Sequence, residues 1–258
     1  VLVDVTPLTL GVETLGDVMD VVIARNTSIP TQQTRTYSTA TDFQTTVEVN
    51  VLQGERSRAS QNKSLGRFHL TGIPPAQRGM PQIEVRFDLD SNGILKVTAQ
   101  DKATGKQQDI TITGSGALSD NEVGEMVKDA ETHAEEDKKF RELAETKNQA
   151  EQLSYQLEKT LTDLGDKVPE SERGPIKEKI EALQEAAKGD DADRIRSAID
   201  EANQSFAAVS QRMYEQAQAT AADASGPEGA DPSAAAGDAA GGPADDDVID
   251  ADFEAEDR

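Results

Sequence analysis

The chain has 258 residues, with 26 Lys and Arg against 49 Asp and Glu, for a net charge of −23. This balance argues against nucleic acid and anionic membranes as partners, because both select clustered Lys and Arg. The chain contains no cysteine, which excludes disulfides and thiolate metal sites, and no apolar run approaches the ~20 residues of a membrane span. It begins with Val1 rather than Met, so we expect a fragment of a longer protein.

The first predicted strand leaves one apolar side chain outside its pattern. In "PLTLGVETLGDV", Leu8, Leu10 and Val12 share one face of an extended strand, whereas Leu15 falls on the other. The neighbouring Gly16 indicates a bend or a close backbone approach. Leu15 is therefore predicted to contact something other than the core of its own strand.

Short strands with turns between them follow through residue 113. "TTVEVNVLQGE" alternates through Val47, Val49 and Val51. "QIEVRFDLDSNGILKVTAQD" alternates on both sides of Asn92-Gly93, a dipeptide that favours a tight hairpin. Strands at this spacing predict an antiparallel β-sandwich.

The apolar period changes after "GSGAL". Ser119 and Glu122 have the spacing of a capping box, and apolar residues then recur every three or four positions. Pro175 is suited to the first turn of a second helix, and Asp193 could cap a last one. We predict a helical bundle, whose first helix could pack across the sandwich.

The last 40 residues, 219–258, contain 21 Ala, Gly or Pro and carry a net charge of −11. They cannot bury enough apolar area to offset an ordering entropy of ~1–2 kcal/mol per residue. The predicted fold class is thus an all-β sandwich followed by an α-helical lid or bundle and a disordered acidic C-terminal tail.

Candidate catalytic groups are few. Asp88 and Asp90 share a strand face and could act as an acid–base pair, but Asp is common beside hairpin turns. His69 and His133 lie in different segments without metal-ligand spacing. We predict no catalytic residue and no metal site.

Several motifs together carry a family resemblance: "DVTPLTLGVET", "NTSIPT", "VLQGER", "NKSLGRFHLTGIPPAQRGMPQIEV", "DSNGIL" and "DDDVIDADFE". They resemble the DnaK-type seventy-kilodalton heat-shock chaperones of bacteria or of organelles of bacterial descent. The resemblance implies the C-terminal half, a substrate-binding domain with a lid. It divides the chain into a linker remnant (1–4), a peptide-binding sandwich (5–114), a helical lid (115–218) and the acidic tail (219–258).

On this resemblance the fragment is a chaperone that binds extended hydrophobic segments of unfolded polypeptides, with release controlled by the lid. ATP and Mg²⁺ would belong to a missing N-terminal ATPase domain, so the fragment itself would be no enzyme and hold no cofactor. Implied partners are a J-domain co-chaperone (DnaJ) and a nucleotide-exchange factor (GrpE), in the cytoplasm. The peptide channel could also bind another copy of the chain.

The resemblance also assigns residues. The peptide channel would be formed by Val12, Thr14, Leu15, Tyr37, Ser38, Ala40, Gln44, Val47, Val49 and Ile83, with Val47 in the central pocket and Leu15 meeting Ala40 as an arch. Lid latches would join Arg78 to Glu151 and Asp42 to Tyr155. Interdomain coupling would involve Leu2, Val3, Asp4, Arg25 and Pro30.

The family pattern differs at four of these positions. Leu15 replaces a common Met, Tyr37 a common Phe, Glu151 a common Asp and Tyr155 a common His. Judged alone, Val12, Val47, Val49 and Ile83 would be core residues. The competing function is a passive interaction module, such as an adhesin with a helical spacer, which has no apolar channel.

Overall fold

The computed structural model describes residues 4–113 and 118–223, with side chains described as far as residue 215. The predictions made for Leu2, Val3 and the tail beyond residue 223 therefore lie outside the described residues. The chain divides into one compact unit, residues 1–213, and a second, residues 214–258, of which the structure describes the end of a helix.

In the described part of the chain, eight strands form two four-stranded sheets. The strands are β1 (Leu10–Thr14), β2 (Val18–Ile23), β3 (Thr31–Tyr37), β4 (Thr46–Gln53), β5 (Lys63–Thr71), β6 (Ile83–Leu89), β7 (Leu95–Asp101) and β8 (Gln107–Ile112). The strand orders are β2-β1-β4-β5 and β3-β6-β7-β8. All pairings between these strands are antiparallel.

The two sheets share one hydrophobic core. In β6, Ile83, Val85, Phe87 and Leu89 are buried while the residues between them are more exposed, as expected for a strand with one face inward. Buried residues of β1, β4 and β5 belong to the same apolar cluster. The apolar alternation read from the sequence therefore decides which face of each strand lies inside.

The β6–β7 connection is longer than the predicted two-residue turn. Leu89 pairs with Leu95, which leaves five residues between the strands. Asp90 accepts hydrogen bonds from the backbone N–H groups of Asn92 and Ile94, both at 2.8 Å, while Asp88 pairs with Arg86. These two carboxylates thus have local structural partners.

Within residues 118–223 the structure has four α-helices: α1 (Asp120–Thr132), α2 (Ala134–Leu164), α3 (Glu170–Ala187) and α4 (Ala192–Asp223). The capping box of Ser119 and Glu122 is present at the start of α1. Residues of α2, α3 and α4, among them Leu161, Ile180 and Ile195, form a hydrophobic cluster separate from that of the sheets. No described helix is both long and apolar enough to cross a membrane.

The predicted fold class needs correction. The predicted class, an all-β sandwich followed by an α-helical lid or bundle, is wrong: in the described residues the α-helices contain more residues than the strands, and the two are segregated in the α+β manner. The geometry of the helices does not by itself make them a lid. In addition, α4 continues past the predicted tail boundary at residue 219, as far as Asp223.

Candidate functional site

The chain between β1 and β2, residues 15–17, forms a turn that we call the apex loop. Gly16 and Asp17 have left-handed backbone angles, with φ of 87° and 60°. In the preceding strand, a Cβ on Gly11 would lie 2.1 Å from the carbonyl oxygen of Asp20, so only glycine permits this approach of β1 to β2. Leu15 is 53% exposed, which agrees with its predicted position on the strand face opposite to the core.

The residues assigned to the channel floor differ in burial. Val12, Val49 and Ile83 are buried in the core of the sheets, whereas Tyr37 and Val47 are partly exposed and pack against that core. The structure therefore brings the set into one cluster, with Val47 and Tyr37 at its edge. Thr14 is half-buried, and its hydroxyl donates to the carbonyl oxygen of Val18 at 3.0 Å.

The segment between β3 and β4, residues 38–45, is held by its own side chains, and we call it the second loop. Gln44 accepts hydrogen bonds through Oε1 from the backbone N–H groups of Ala40 and Thr41, and donates through Nε2 to the carbonyl oxygen of Thr46. The Ser38 hydroxyl donates to the carbonyl oxygen of Pro81. The side chains of Gln44 and Ser38 thus shape the loop, while Ala40 is exposed.

The hydroxyl of Tyr37 joins the two sheets. It donates to Asp20 Oδ2 at 2.7 Å, from β3 to β2, which are edge strands of different sheets. Burial, and then the bond to Asp20, raise the pKa of Tyr37 well above its usual range. Tyr37 therefore combines an apolar ring at the edge of the core with a polar contact between the sheets.

Helix α2 packs over the apex loop. Asn148 donates through Nδ2 to the carbonyl oxygen of Leu15 at 3.1 Å. Gly16 faces Ala144, whose Cβ would lie 3.7 Å from a Cβ built on the glycine. Arg141 donates to the carbonyl oxygen of Met19 at 2.9 Å. Backbone carbonyl groups of the apex loop and of β2 thus accept hydrogen bonds from side chains of the helix.

The four predicted latch residues come together at the second loop. Arg78 pairs with Glu151 (Nη1 to Oε1, 3.3 Å), and its guanidinium lies 3.9 Å from the centroid of the Tyr155 ring. The Tyr155 hydroxyl donates to Asp42 Oδ1 at 2.9 Å, and the same oxygen accepts the backbone N–H of Arg78. The Arg78 N–H and then the Tyr155 hydroxyl hold the pKa of Asp42 below its usual value.

A second anchor of the helices was not predicted. Arg56 donates to both carboxylate oxygens of Asp137 at 3.0 Å and to Asp129 at 2.7 Å, and the backbone N–H of Ser57 also donates to Asp137. Burial acts to raise the pKa of Asp137, but the bonds from Arg56 and Ser57 outweigh it and lower that pKa. Beside this cluster, Arg58 lies 4.1 Å from the centroid of the Phe140 ring.

One row of α2 residues makes most of these contacts. We call it the polar stripe, and it consists of Asp137, Arg141, Ala144, Asn148, Glu151 and Tyr155. Their spacing of four, three, four, three and four places them on one helix face. The spacing is visible in the sequence, but a search for apolar periodicity passes over it because five of the six residues are polar or charged.

A cavity of about 1220 Å³ runs along α2 beside the polar stripe. Its lining includes Leu15, Phe140 and Leu143 with Arg58 and Arg78, and on the far side the end of α3. The apex loop therefore borders open space as well as the helix.

The coupling residues that the structure describes lie near the chain's entry into the sheets. The carbonyl oxygen of Asp4 accepts the N–H of Ile29, the residue before Pro30. The backbone N–H of Arg25 donates to the Thr9 hydroxyl at 3.1 Å. Asp4 thus lies beside the residue that precedes Pro30, and Leu2 and Val3 directly precede Asp4 in the chain.

Two comparisons with known proteins give the relationship of the chain. A family model described as "Hsp70 protein" matches residues 1–215. The chaperone protein DnaK of Prochlorococcus marinus (strain MIT 9515) is 54% identical over 252 residues, which are 98% of this chain and 39% of that protein. The chain therefore spans about two fifths of the length of this relative.

The comparisons correct three narrower predictions. The family model matches residues 1–215 as Hsp70 protein. Neither match supports the assignment to the C-terminal half with an ATPase domain missing. Of that assignment, only the membership of the Hsp70 family is kept. The predictions that the chain is no enzyme, and that ATP and Mg²⁺ belong to a missing domain, depended on it and are not retained.

The family resemblance implies ATP and Mg²⁺ as ligands, but the described residues do not form a binding site that fits them. Phosphate sites use helix N-termini with free N–H groups, but each described α-helix carries acidic residues in its first turn, such as Glu122, Glu135, Glu170 and Asp193. In residues 4–113 and 118–215, no group of three or more His, Cys, Asp or Glu could hold a metal ion.

Proposed function

Because the chain belongs to the Hsp70 family, we propose that it binds extended apolar segments of unfolded polypeptides between the apex loop and the second loop. The observation that carries this proposal is that Leu15 is exposed in the apex loop, while Val47 and Tyr37 are only partly buried at the edge of the core. Apolar side chains with this exposure provide a place for an aliphatic side chain of another polypeptide.

The proposed mode of binding is tolerant of sequence. Main-chain groups of the two loops would pair with the backbone of an extended peptide, and the pocket at Val47 would take one aliphatic side chain. Burying a leucine contributes ~2–3 kcal/mol, and each hydrogen bond contributes ~0.5–1.5 kcal/mol. Since ordering the peptide costs ~1–2 kcal/mol per residue, the net affinity for the open groove is small.

In this proposal α2 acts as a lid that slows release. It is joined to the apex loop by Asn148, to the second loop by Tyr155, and to Arg78 between β5 and β6 by Glu151. Exposed ion pairs contribute only ~0–1 kcal/mol each, so the helix can undock at modest cost. Binding would be fast when it is undocked, and release slow when it is in place.

The wider setting is proposed from the family. The partners would be unfolded polypeptides, a J-domain co-chaperone and a nucleotide-exchange factor, in a bacterial cytoplasm. The net charge of −23 favours client segments with basic flanks.

The test is the substitution Val47→Phe, with Val21→Phe as its matched control. Val47 is at the core edge of the proposed pocket, whereas Val21 is an exposed valine of β2. We expect Val47→Phe to abolish binding of a fluorescent leucine-centred peptide, measured by anisotropy, because the ring fills the pocket. The control should bind as the parent does, and circular dichroism should show both variants folded.

Equal binding by Val47→Phe and the parent would show that the peptide does not bind in a pocket at Val47. The alternative function, a passive interaction module, predicts no preference for unfolded over folded clients. A peptide array separates the two, because a chaperone retains many unrelated apolar sequences and a passive module retains few or none.

A further inference from the structure

Two large apolar side chains lie in solvent on neighbouring loops of the sheets. Phe43 of the second loop is 67% exposed, and Met80, in the connection between β5 and β6, is 69% exposed. The chain has only nine aromatic residues, six Phe and three Tyr, and one of them is thus presented at a loop surface. Because single exposed apolar residues are common in folded proteins, exposure alone does not assign them a role.

The backbone of Phe43 provides a second observation. Its φ is 58°, in the left-handed region that bulky residues rarely adopt. The residues on both sides are fixed, because Asp42 accepts the Tyr155 hydroxyl and Gln44 binds the backbone of its own loop. The Phe43 N–H itself donates to the carbonyl oxygen of Ala76 at 2.7 Å. The loop therefore holds an unfavourable backbone conformation in which a phenylalanine ring stays in solvent.

Hydrogen bonds join the two segments that carry these side chains. Besides the bond from Phe43 to Ala76, the N–H of Gly79 donates to the carbonyl oxygen of Thr39 at 3.2 Å. Met80 directly follows Gly79 in the chain. We call Phe43 and Met80 the exposed pair, because the second loop and the β5–β6 connection present them as parts of one hydrogen-bonded structure.

The exposed pair is accessible while α2 is in place. The helix contacts this region through polar side chains, which bind Arg78, Asp42 and Gln77. With these contacts made, both apolar side chains are still about two-thirds exposed. A partner of the exposed pair can therefore bind without displacing the helix.

We propose that the exposed pair binds apolar side chains in the flank of the unfolded polypeptide whose central segment occupies the groove. This inference rests on the proposed function and adds a second contact for the same client. Three steps of chain separate Ala40, at the groove, from Phe43, a span of at most ~11 Å. The first few client residues outside the groove can thus reach the ring. An aromatic ring and a flexible thioether accept side chains of many shapes.

The experiment compares two fluorescent peptides of equal length by anisotropy. Both contain the same leucine-centred segment, and their flanks carry leucine and phenylalanine in one peptide and serine in the other. We expect the parent chain to bind the peptide with apolar flanks at least ~5-fold more tightly, because that peptide buries apolar side chains against the exposed pair.

Phe43→Asn removes the ring and keeps the loop, since asparagine adopts left-handed backbone angles more readily than phenylalanine. The preference for apolar flanks should fall to within ~2-fold, while the serine-flanked peptide binds and dissociates as it does from the parent. Tyr214→Asn is the matched control, because Tyr214 is an aromatic residue of α4 with the same 67% exposure, and it should keep the preference. The urea midpoint of Phe43→Asn should not fall, which separates lost binding from lost folding.

A parent chain without the preference, or a preference that Phe43→Asn leaves intact, would overturn the inference. Met80→Gln should lower the preference by a smaller factor than Phe43→Asn, and an unchanged preference in that variant would overturn the part assigned to Met80. Failure of the parent chain to bind the serine-flanked peptide would instead overturn the proposed function, and this inference with it.

Discussion

At the scale of single residues, Tyr155 determines how the contact between α2 and the second loop responds to pH. Its hydroxyl donates to Asp42, and this bond raises the pKa of Tyr155 above its usual value. The pKa of Asp42 is lowered. The stabilisation that ionised Asp42 gives to this contact is therefore present above the ordinary carboxyl pKa, and it is lost as the pH falls through the lowered pKa of Asp42. Neither group changes charge between about pH 5 and 8.

We therefore predict that peptide release from the parent chain is independent of pH between about 5 and 8 as far as this contact is concerned. Tyr155→His should introduce a dependence, because imidazole titrates near pH 6.5 and its cation pairs with Asp42. Release should become slower as the pH falls through that range, by up to ~5-fold for an exposed pair. Stopped-flow dissociation rates measure this, with Tyr155→Phe as the control that has no titrating group.

At the scale of elements, the polar stripe gives the two anchors of the helices different strengths. The side chains of Arg56 and Asp137 are 10% and 11% exposed, whereas Glu151 in the other anchor is 61% exposed. Charge-assisted hydrogen bonds between buried groups are stronger than exposed pairs. The anchor near the α1–α2 junction is thus the firm one, and the anchor at the second loop is the one that opens.

Asp137→Asn should lower the free energy of unfolding by ~1.5–3 kcal/mol, since it removes a charged acceptor from the buried Arg56. Asp129→Asn is the matched control, because Asp129 binds the same guanidinium from a position that is 50% exposed, and its effect should remain below ~1 kcal/mol. Urea denaturation measures both variants. Equal effects would show that burial does not distinguish the two carboxylates.

The elements could be predicted from the sequence where local pattern decides them. The alternation around Phe87 defined β6, and the Ser119–Glu122 pair defined the start of α1. The Arg56–Asp137 anchor could not be predicted, because its residues are 81 positions apart and neither has an apolar signature. The roles of Ser38 and Gln44 within their loop could not be predicted either. Hydrogen bonds from side chains to the backbone produce no periodic pattern in the sequence.

At the scale of the whole molecule, the sheets and the helices have separate hydrophobic clusters. Contacts between them are mainly the side-chain bonds of the polar stripe. Each part thus has its own source of stability, and the helices can change position without rebuilding the core of the sheets.

Removing residues 119–258 should therefore leave a folded two-sheet domain that still captures peptide. We expect its association rate to stay within ~3-fold of the parent value and its dissociation rate to rise at least ~10-fold, because affinity changes within one interface fall mainly on release. Stopped-flow fluorescence measures both rates. Dissociation rates equal to those of the full chain would show that α2 does not act as a lid.

The polar character of the α2 stripe has a thermodynamic consequence. Lifting the helix hydrates carboxylates, guanidinium groups and amides and uncovers little hydrocarbon, so the heat capacity of the molecule should hardly change. Outside the proposed peptide site, the separated polar faces would also have little tendency to adhere to other molecules in a crowded solution. A protein arranged in this way can open repeatedly without becoming an aggregation nucleus itself.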